Sequence, residues 1–110
     1  MAITPLNEFK NISHDLTTSN VGIYTAPIGV TSIILHAQVA NVSESVGFVT
    51  CTHVRGSKVT HVIKGAEIPV NDSLVIITGK FVMEEGDIFS VQGDNSGTME
   101  LLMSVLETSE

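Results

Sequence analysis

The least polar stretch of the chain runs from Val30 to Val42 and contains no charged residue, no proline and no glycine. Ile33, Ile34 and Leu35 stand side by side there, so the apolar–polar alternation of a half-exposed strand is interrupted. A short continuous apolar run between turn signals is typical of a strand covered on both faces. We therefore expect residues 24–42 to enter and form the central strand of a β-sheet.

The remaining apolar positions recur at the spacing of strands. No window of helical length shows a capped apolar stripe of period 3.6. The chain has 14 Val, 11 Ile and 11 Thr, residues that favour a pleated backbone. Short runs between turn formers predict strands at Val21–Ala26, Val30–Val42, Val46–Arg55, Lys58–Lys64, Ala66–Val70 (an edge piece), Ser73–Thr78, Lys80–Met83, Ile88–Gln92 and Thr98–Leu106. The pattern predicts an all-β fold, an antiparallel β-sandwich of eight or nine short strands with jelly-roll or immunoglobulin-like order.

The clearest hairpin signal is Gly56-Ser57, a two-residue connection with glycine first, as a type II′ turn prefers. The alternation leaves two candidate core faces. One face carries Phe48, Thr50, Thr52 and Val54 opposite Val59, His61 and Ile63, and we expect this face to be the core face. The other face carries Val49, Cys51, His53 and Arg55 opposite Lys58, Thr60, Val62 and Lys64. Glycine further along predicts a strand break at Gly65 and a bend or bulge at Gly79.

A chain of 110 residues suits one domain with a real core. We expect residues 1–20 to form an N-terminal arm or edge strand and residues 21–110 a single β-sandwich domain. Charged residues make up only 15% of the chain, which is low for the surface of a small free monomer. This composition predicts that some apolar surface is buried against other chains.

The net charge of −7 argues against nucleic acid and against an anionic membrane surface as partners, because only five Lys and Arg are present. The first ten residues lack the basic and apolar regions of a signal peptide, and no apolar run is long enough to span a bilayer. We expect a soluble protein made in the cytoplasm and not secreted.

The nucleophile and histidine candidates carry weak signals. Cys51 lies in an apolar run and is expected to be a buried thiol rather than a nucleophile paired with a histidine. The histidines do not show the i, i+2 or i, i+4 spacing of a zinc site; they are His14, His36, His53 and His61. We expect no catalytic residue, no metal and no cofactor.

The acidic cluster of Glu84, Glu85 and Asp87, with Asp94 nearby, could supply oxygen ligands to calcium, but its spacing fits a solvated hairpin tip better. A glycosidase would need two carboxylates facing each other across a cleft. A sugar platform would need exposed aromatic rings, yet the chain has no Trp and one Tyr, Tyr24, which we expect in the core or in strand pairing.

The succession of turn motifs resembles a group of small virion structural proteins of tailed bacteriophages, including marine phages and cyanophages. The motifs are Tyr24-Thr25-Ala26-Pro27, Gln38-Val39-Ala40-Asn41, Ile68-Pro69-Val70-Asn71-Asp72, Gly79-Lys80, Glu85-Gly86-Asp87 and Ser104-Val105-Leu106-Glu107. The resemblance covers residues 24–107. It implies a β-sandwich incorporated in many copies into a virus particle, without catalytic residues.

The expected function is therefore that of a non-enzymatic virion structural protein, a capsid decoration or cement protein that oligomerises and stabilises the particle. A neck or tail component is the alternative within the same class, and a glycan-binding module for host attachment is the alternative from another class. The expected partners are copies of the chain itself, as a trimer or hexamer, and other virion proteins such as the major capsid protein.

Overall fold

The computed structural model describes residues 7–108, so the first six residues of the predicted N-terminal segment and the last two of the predicted domain lie outside the described residues. The described chain forms strands and no helix. The eight strands are β1 (Asn7–Asp15), β2 (Val21–Thr25), β3 (Thr31–Asn41), β4 (Gly47–Arg55), β5 (Lys58–Ile68), β6 (Ser73–Met83), β7 (Ile88–Gly93) and β8 (Met99–Thr108). The predicted antiparallel β-sandwich is confirmed.

Two four-stranded sheets form the sandwich. Sheet A has the order β1-β8-β3-β6, and sheet B has the order β2-β7-β4-β5. Strands equally far from the two ends of the chain pair with each other, β1 with β8, β2 with β7, β3 with β6 and β4 with β5. This nesting is that of a long hairpin rolled into two sheets, which is the jelly-roll order rather than the immunoglobulin-like one.

The core lies between the sheets and is mostly aliphatic. The last strand supplies it in strict alternation, because Met99, Leu101, Met103 and Val105 are buried while their neighbours are more exposed. Sheet B contributes the residues on the opposite side of the core, Val49, Cys51, Phe89 and Val91. The alternation predicted for the last strand is thus confirmed, and the strand runs two residues beyond the predicted end at Leu106.

The stretch expected at the centre of a sheet is β3, which lies between β8 and β6. The expectation that both of its faces are covered was wrong. Ile34, Ala37 and Val39 are buried, whereas Ile33 and Leu35 on the other face are only half-buried. A register shift between Ile34 and His36 lets Leu35 stand in a bulge. The apolar run therefore reflects an apolar outer face rather than a second covering layer.

The Gly56-Ser57 hairpin is confirmed at its tip, where Arg55 pairs with Lys58. Gly56 has a φ of 59° and Ser57 does not have a positive φ, as in a type II′ turn. The predicted core face was wrong, because Val49 and Cys51 point into the core and Phe48 is 42% exposed. The face with more β-branched residues faces outward.

The two predicted glycine irregularities differ in outcome. Gly79 has a φ of 95° and lies within β6, where the pairing with β3 shifts register, so the predicted bulge is confirmed. Gly65 was expected to break a strand, but β5 continues through it to Ile68. The φ of Gly65 is 58°, and the pairing register of β4 and β5 shifts opposite Thr50, so Gly65 lies in another bulge. The Gly65 N–H donates a hydrogen bond to Thr50 Oγ1 at 3.0 Å.

Candidate functional site

The densest polar cluster surrounds Asp87, in the turn that carries the chain from β6 in sheet A to β7 in sheet B. Asp87 is 1% exposed. The Arg55 guanidinium donates to both of its oxygens, with a shortest distance of 2.6 Å, and His53 Nε2 lies 2.9 Å from Oδ2. The Glu84 N–H donates to the same carboxylate at 2.9 Å. These hydrogen bonds hold the β6–β7 connection against the C-terminal end of β4.

The hydrogen bonds from Arg55 hold the pKa of Asp87 well below its ordinary value, and those from His53 and the Glu84 N–H act in the same direction. Because the lone pairs of the carboxylate are used by these donors, little is left for a substrate or an ion. The arrangement is that of a structural ion pair. It corrects the expectation of a solvated tip at Asp87, while Glu84 and Glu85 are exposed as expected.

The calcium alternative finds no geometric support in the part of the chain that the structure describes, residues 7–108, where no group of three His, Cys, Asp or Glu side chains could hold a metal ion. Asp87 faces Arg55, and Asp94 accepts a hydrogen bond from the Phe48 N–H at 3.1 Å. The predicted acidic cluster is therefore divided between two local structural roles.

A second buried carboxylate, Glu107 at the end of β8, joins four strands. Lys10 Nζ on β1 lies 3.0 Å from its Oε1, and the Tyr24 hydroxyl on β2 donates to Oε2 at 2.6 Å. Ser32 Oγ on β3 lies 2.6 Å from the same hydroxyl. Burial would raise the pKa of Glu107, but the hydrogen bonds from Tyr24 and Lys10 outweigh it and lower that pKa.

Tyr24 is 9% exposed and lies within this network, as expected for a core residue, so its ring is not available as a sugar platform. Burial, followed by the hydrogen bond to Glu107, raises the pKa of Tyr24 to about 12. The hydroxyl stays protonated at neutral pH and keeps donating to the carboxylate. The network couples edge strand β1 to both sheets.

Cys51 is fully buried, as expected, and burial raises its pKa to about 12. A thiol with such a pKa is protonated at neutral pH and is a poor nucleophile. In residues 7–108 no hydrogen bond joins it to a histidine; His53 contacts Asp87, and His36 Nε2 lies 3.1 Å from Gln38 Oε1. The thiol–histidine constellation considered from the sequence is not assembled.

Sequence reasoning missed both carboxylate networks. The Asp87 network had a signal in the alternation of side chains along β4, which places Arg55 on the same face as Val49 and Cys51. Assigning that face to the core would have required an acidic partner for Arg55. The second network had no comparable signal, because Glu107 and Tyr24 are 83 residues apart.

The four sheet edges are β1 and β6 in sheet A and β2 and β5 in sheet B. Proteins usually protect edges with charges, with short strands or with proline. β1 and β5 each carry several charged side chains, and β2 has only five residues. β6 has less protection, since Lys80 is the one charged residue among its eleven and none is proline, which leaves the bulge at Gly79 as its other protective feature.

The described residues include no helix long and apolar enough to cross a membrane. Depressions in the surface are shallow; one on the outer side of sheet A is bordered by Phe9, Leu35 and Ser104. Neither Asp87 nor Glu107 lines any of these depressions, although Lys10 borders one of them and Glu84 another.

No protein-family model matches the chain, and no curated protein matches it in sequence. Among solved structures, the chain is similar to one described under the words "Bacillus endospore appendages form a novel family of disulfide-linked pili". The two share 18% sequence identity with a TM-score of 0.52, over 97% of this chain and 90% of the other. At this identity, the likeness shows a shared fold alone.

Proposed function

We propose that this chain is a non-enzymatic structural subunit that self-associates into an ordered assembly of many copies. The observation that carries the proposal is edge strand β6, whose eleven residues leave one row of backbone N–H and C=O groups without a neighbouring strand in the described chain. Such a long edge with a single charged residue is a template for pairing with another chain.

The polar clusters of the molecule support this proposal. Asp87 and Glu107 are bonded to their own chain, and Cys51 is a buried, protonated thiol. Each of these groups stabilises the sandwich and none is presented to a substrate. The similar fold of a pilus protein adds that a domain of this shape is compatible with linear assembly.

The place of the assembly is a finer proposal. The motif resemblance supports a virion protein made in the host cytoplasm, either a capsid decoration protein that contacts the major capsid protein or a neck or tail component. The appendage fold supports a filament instead. Electron microscopy of the concentrated protein separates the two, because a decoration protein forms closed rings of fixed size, whereas a filament subunit forms open fibres.

The test of self-association is the solution mass by light scattering over a wide concentration range, compared between Val75→Lys and Val59→Lys. Val75 on β6 is 48% exposed and Val59 on β5 is 50% exposed, so the two variants change the same residue type at matched exposure on edge strands of the two different sheets. We expect the lysine on β6 to reduce self-association at least about tenfold, because an edge charge opposes strand addition.

The Val59→Lys variant should assemble like the parent, since β5 already carries Lys58 and Lys64. A parent protein that remains a monomer throughout the concentration range would contradict the proposed function. Equal assembly of both variants would show that β6 is not the edge used.

A further inference from the structure

The outer face of sheet A carries a continuous apolar row across all four strands. Phe9 on β1 pairs with Leu106 on β8, Leu106 with Ile33 on β3, and Ile33 with Val82 on β6. Directly paired residues point to the same side of a sheet, so the four side chains form one ridge. Phe9 is 72% exposed and Val82 53% exposed. We call this ridge, with the neighbouring Leu35, the apolar row.

The middle of this outer face is uncharged, and charged side chains stand at its margins. Glu84 and Glu85 border a depression together with Val82, and Lys10 borders another together with Phe9. Besides the apolar row, the residues of this face on β1, β8 and β3 are Asn7, Asn11, Ser13, Leu102, Ser104, Thr108, Thr31, His36, Gln38 and Ala40, followed at the far end by Asp15 and Glu100. The whole chain contains twelve Asp and Glu, yet only two of them stand on these strands' outer side. The two lysines of this sheet are Lys80 on edge strand β6 and Lys10 on edge strand β1.

We propose that this face packs against the same face of a second copy, with apolar row on apolar row. The inference deepens the proposed function, on which it rests, by naming a second contact surface beside the β6 edge. A partner rich in Lys or Arg would find no carboxylate within the row or in the middle of the face. Two copies of a chain with net charge −7 repel each other, and this neutral face lets them approach with the least repulsion.

The available area suits such a contact. Four strands about 4.8 Å apart, each about ten residues long at about 3.3 Å per residue, cover roughly 600 Å². Two copies would then bury roughly 1,200 Å², at the lower limit of stable protein interfaces. Facing sheets pack about 10 Å apart with their side chains interdigitated. The bulged Leu35 protrudes from this face and the region between Phe9 and Ser104 is depressed, so the side chains of two copies can interdigitate there.

The test compares Phe9→Ser with Phe48→Ser, because Phe48 is a partly exposed phenylalanine on sheet B. Dissociation is followed by analytical ultracentrifugation, and folding of each variant by circular dichroism. We expect Phe9→Ser to raise the dissociation constant at least about tenfold, since a self-complementary interface loses two rings at once. Phe48→Ser should leave it within about twofold of the parent. Equal dissociation constants for the two variants would overturn the inference.

A second readout does not depend on loss of affinity. Leu106→Cys places a thiol at the middle of the apolar row, and Cys51 is buried and does not interfere. Mild oxidation should yield a disulfide-linked dimer of this variant. Phe48→Cys, on sheet B and outside this face, should give little dimer despite the 42% exposure of Phe48.

The outcomes separate the two proposals. A parent protein that stays monomeric overturns both. A parent that self-associates, while Leu106→Cys forms no more dimer than Phe48→Cys, overturns the row contact and leaves the β6 edge as the assembly surface.

Discussion

At the scale of single residues, position 87 is the one where the surrounding groups most clearly require a particular side chain, an aspartate. Replacing it with Asn keeps the size but removes the charge that Arg55 and His53 satisfy. Because Arg55 is half exposed and can be hydrated, we expect a loss of about 2 kcal/mol in the free energy of unfolding. Asp94→Asn is the matched control, since exposed Asp94 accepts one hydrogen bond from Phe48, and it should cost about 0.5 kcal/mol.

The same residue gives the molecule an acid dependence. Arg55 lowers the folded-state pKa of Asp87 below the ordinary value of 3.8, so the stabilisation is fully present above pH 4 or so and is lost as the pH falls through the folded-state pKa. Urea unfolding at several pH values between about 2 and 6 should show a smaller decline in stability for Asp87→Asn than for the parent. The slope that remains should come partly from Glu107, whose pKa is also lowered. An unchanged slope would contradict the assignment.

At the scale of elements, the sequence predicted local features well and pairings between distant strands poorly. The type II′ turn at Gly56-Ser57, the Gly79 bulge and the alternation of the last strand all follow from turn chemistry and period-2 patterning within a few residues. The outward side of β4 was mistaken for the core because it carries more β-branched residues than the inward side. The pairing of β1 with β8 depends on contacts between opposite ends of the chain, and no local signal encodes it.

Close contact between the sheets also appears only in three dimensions. Gly47 on β4 lies over Met99 on β8, and a methyl group built on it would meet the Met99 sulfur at 2.7 Å. We expect Gly47→Ala to lower the free energy of unfolding by about 1–3 kcal/mol, because the methionine must repack. In a Met99→Ala background the same change should cost less, with a coupling of at least about 0.5 kcal/mol in a double-mutant cycle. Additive costs would show that Met99 is not the obstacle.

At the scale of the whole molecule, the assembly that we propose depends on noncovalent contacts. The structure of similar fold is described as belonging to disulfide-linked pili, whereas residues 1–110 of this chain hold one cysteine, Cys51, buried in the core. We expect a strong reductant to leave the assembled mass unchanged, and Cys51→Ala to assemble like the parent at a cost of about 1–2 kcal/mol in subunit stability. Light scattering with and without reductant measures the first effect, and thermal unfolding the second. Denaturing electrophoresis without reductant that shows a ladder of linked subunits would contradict noncovalent assembly, because it would require the core to open and expose the thiol.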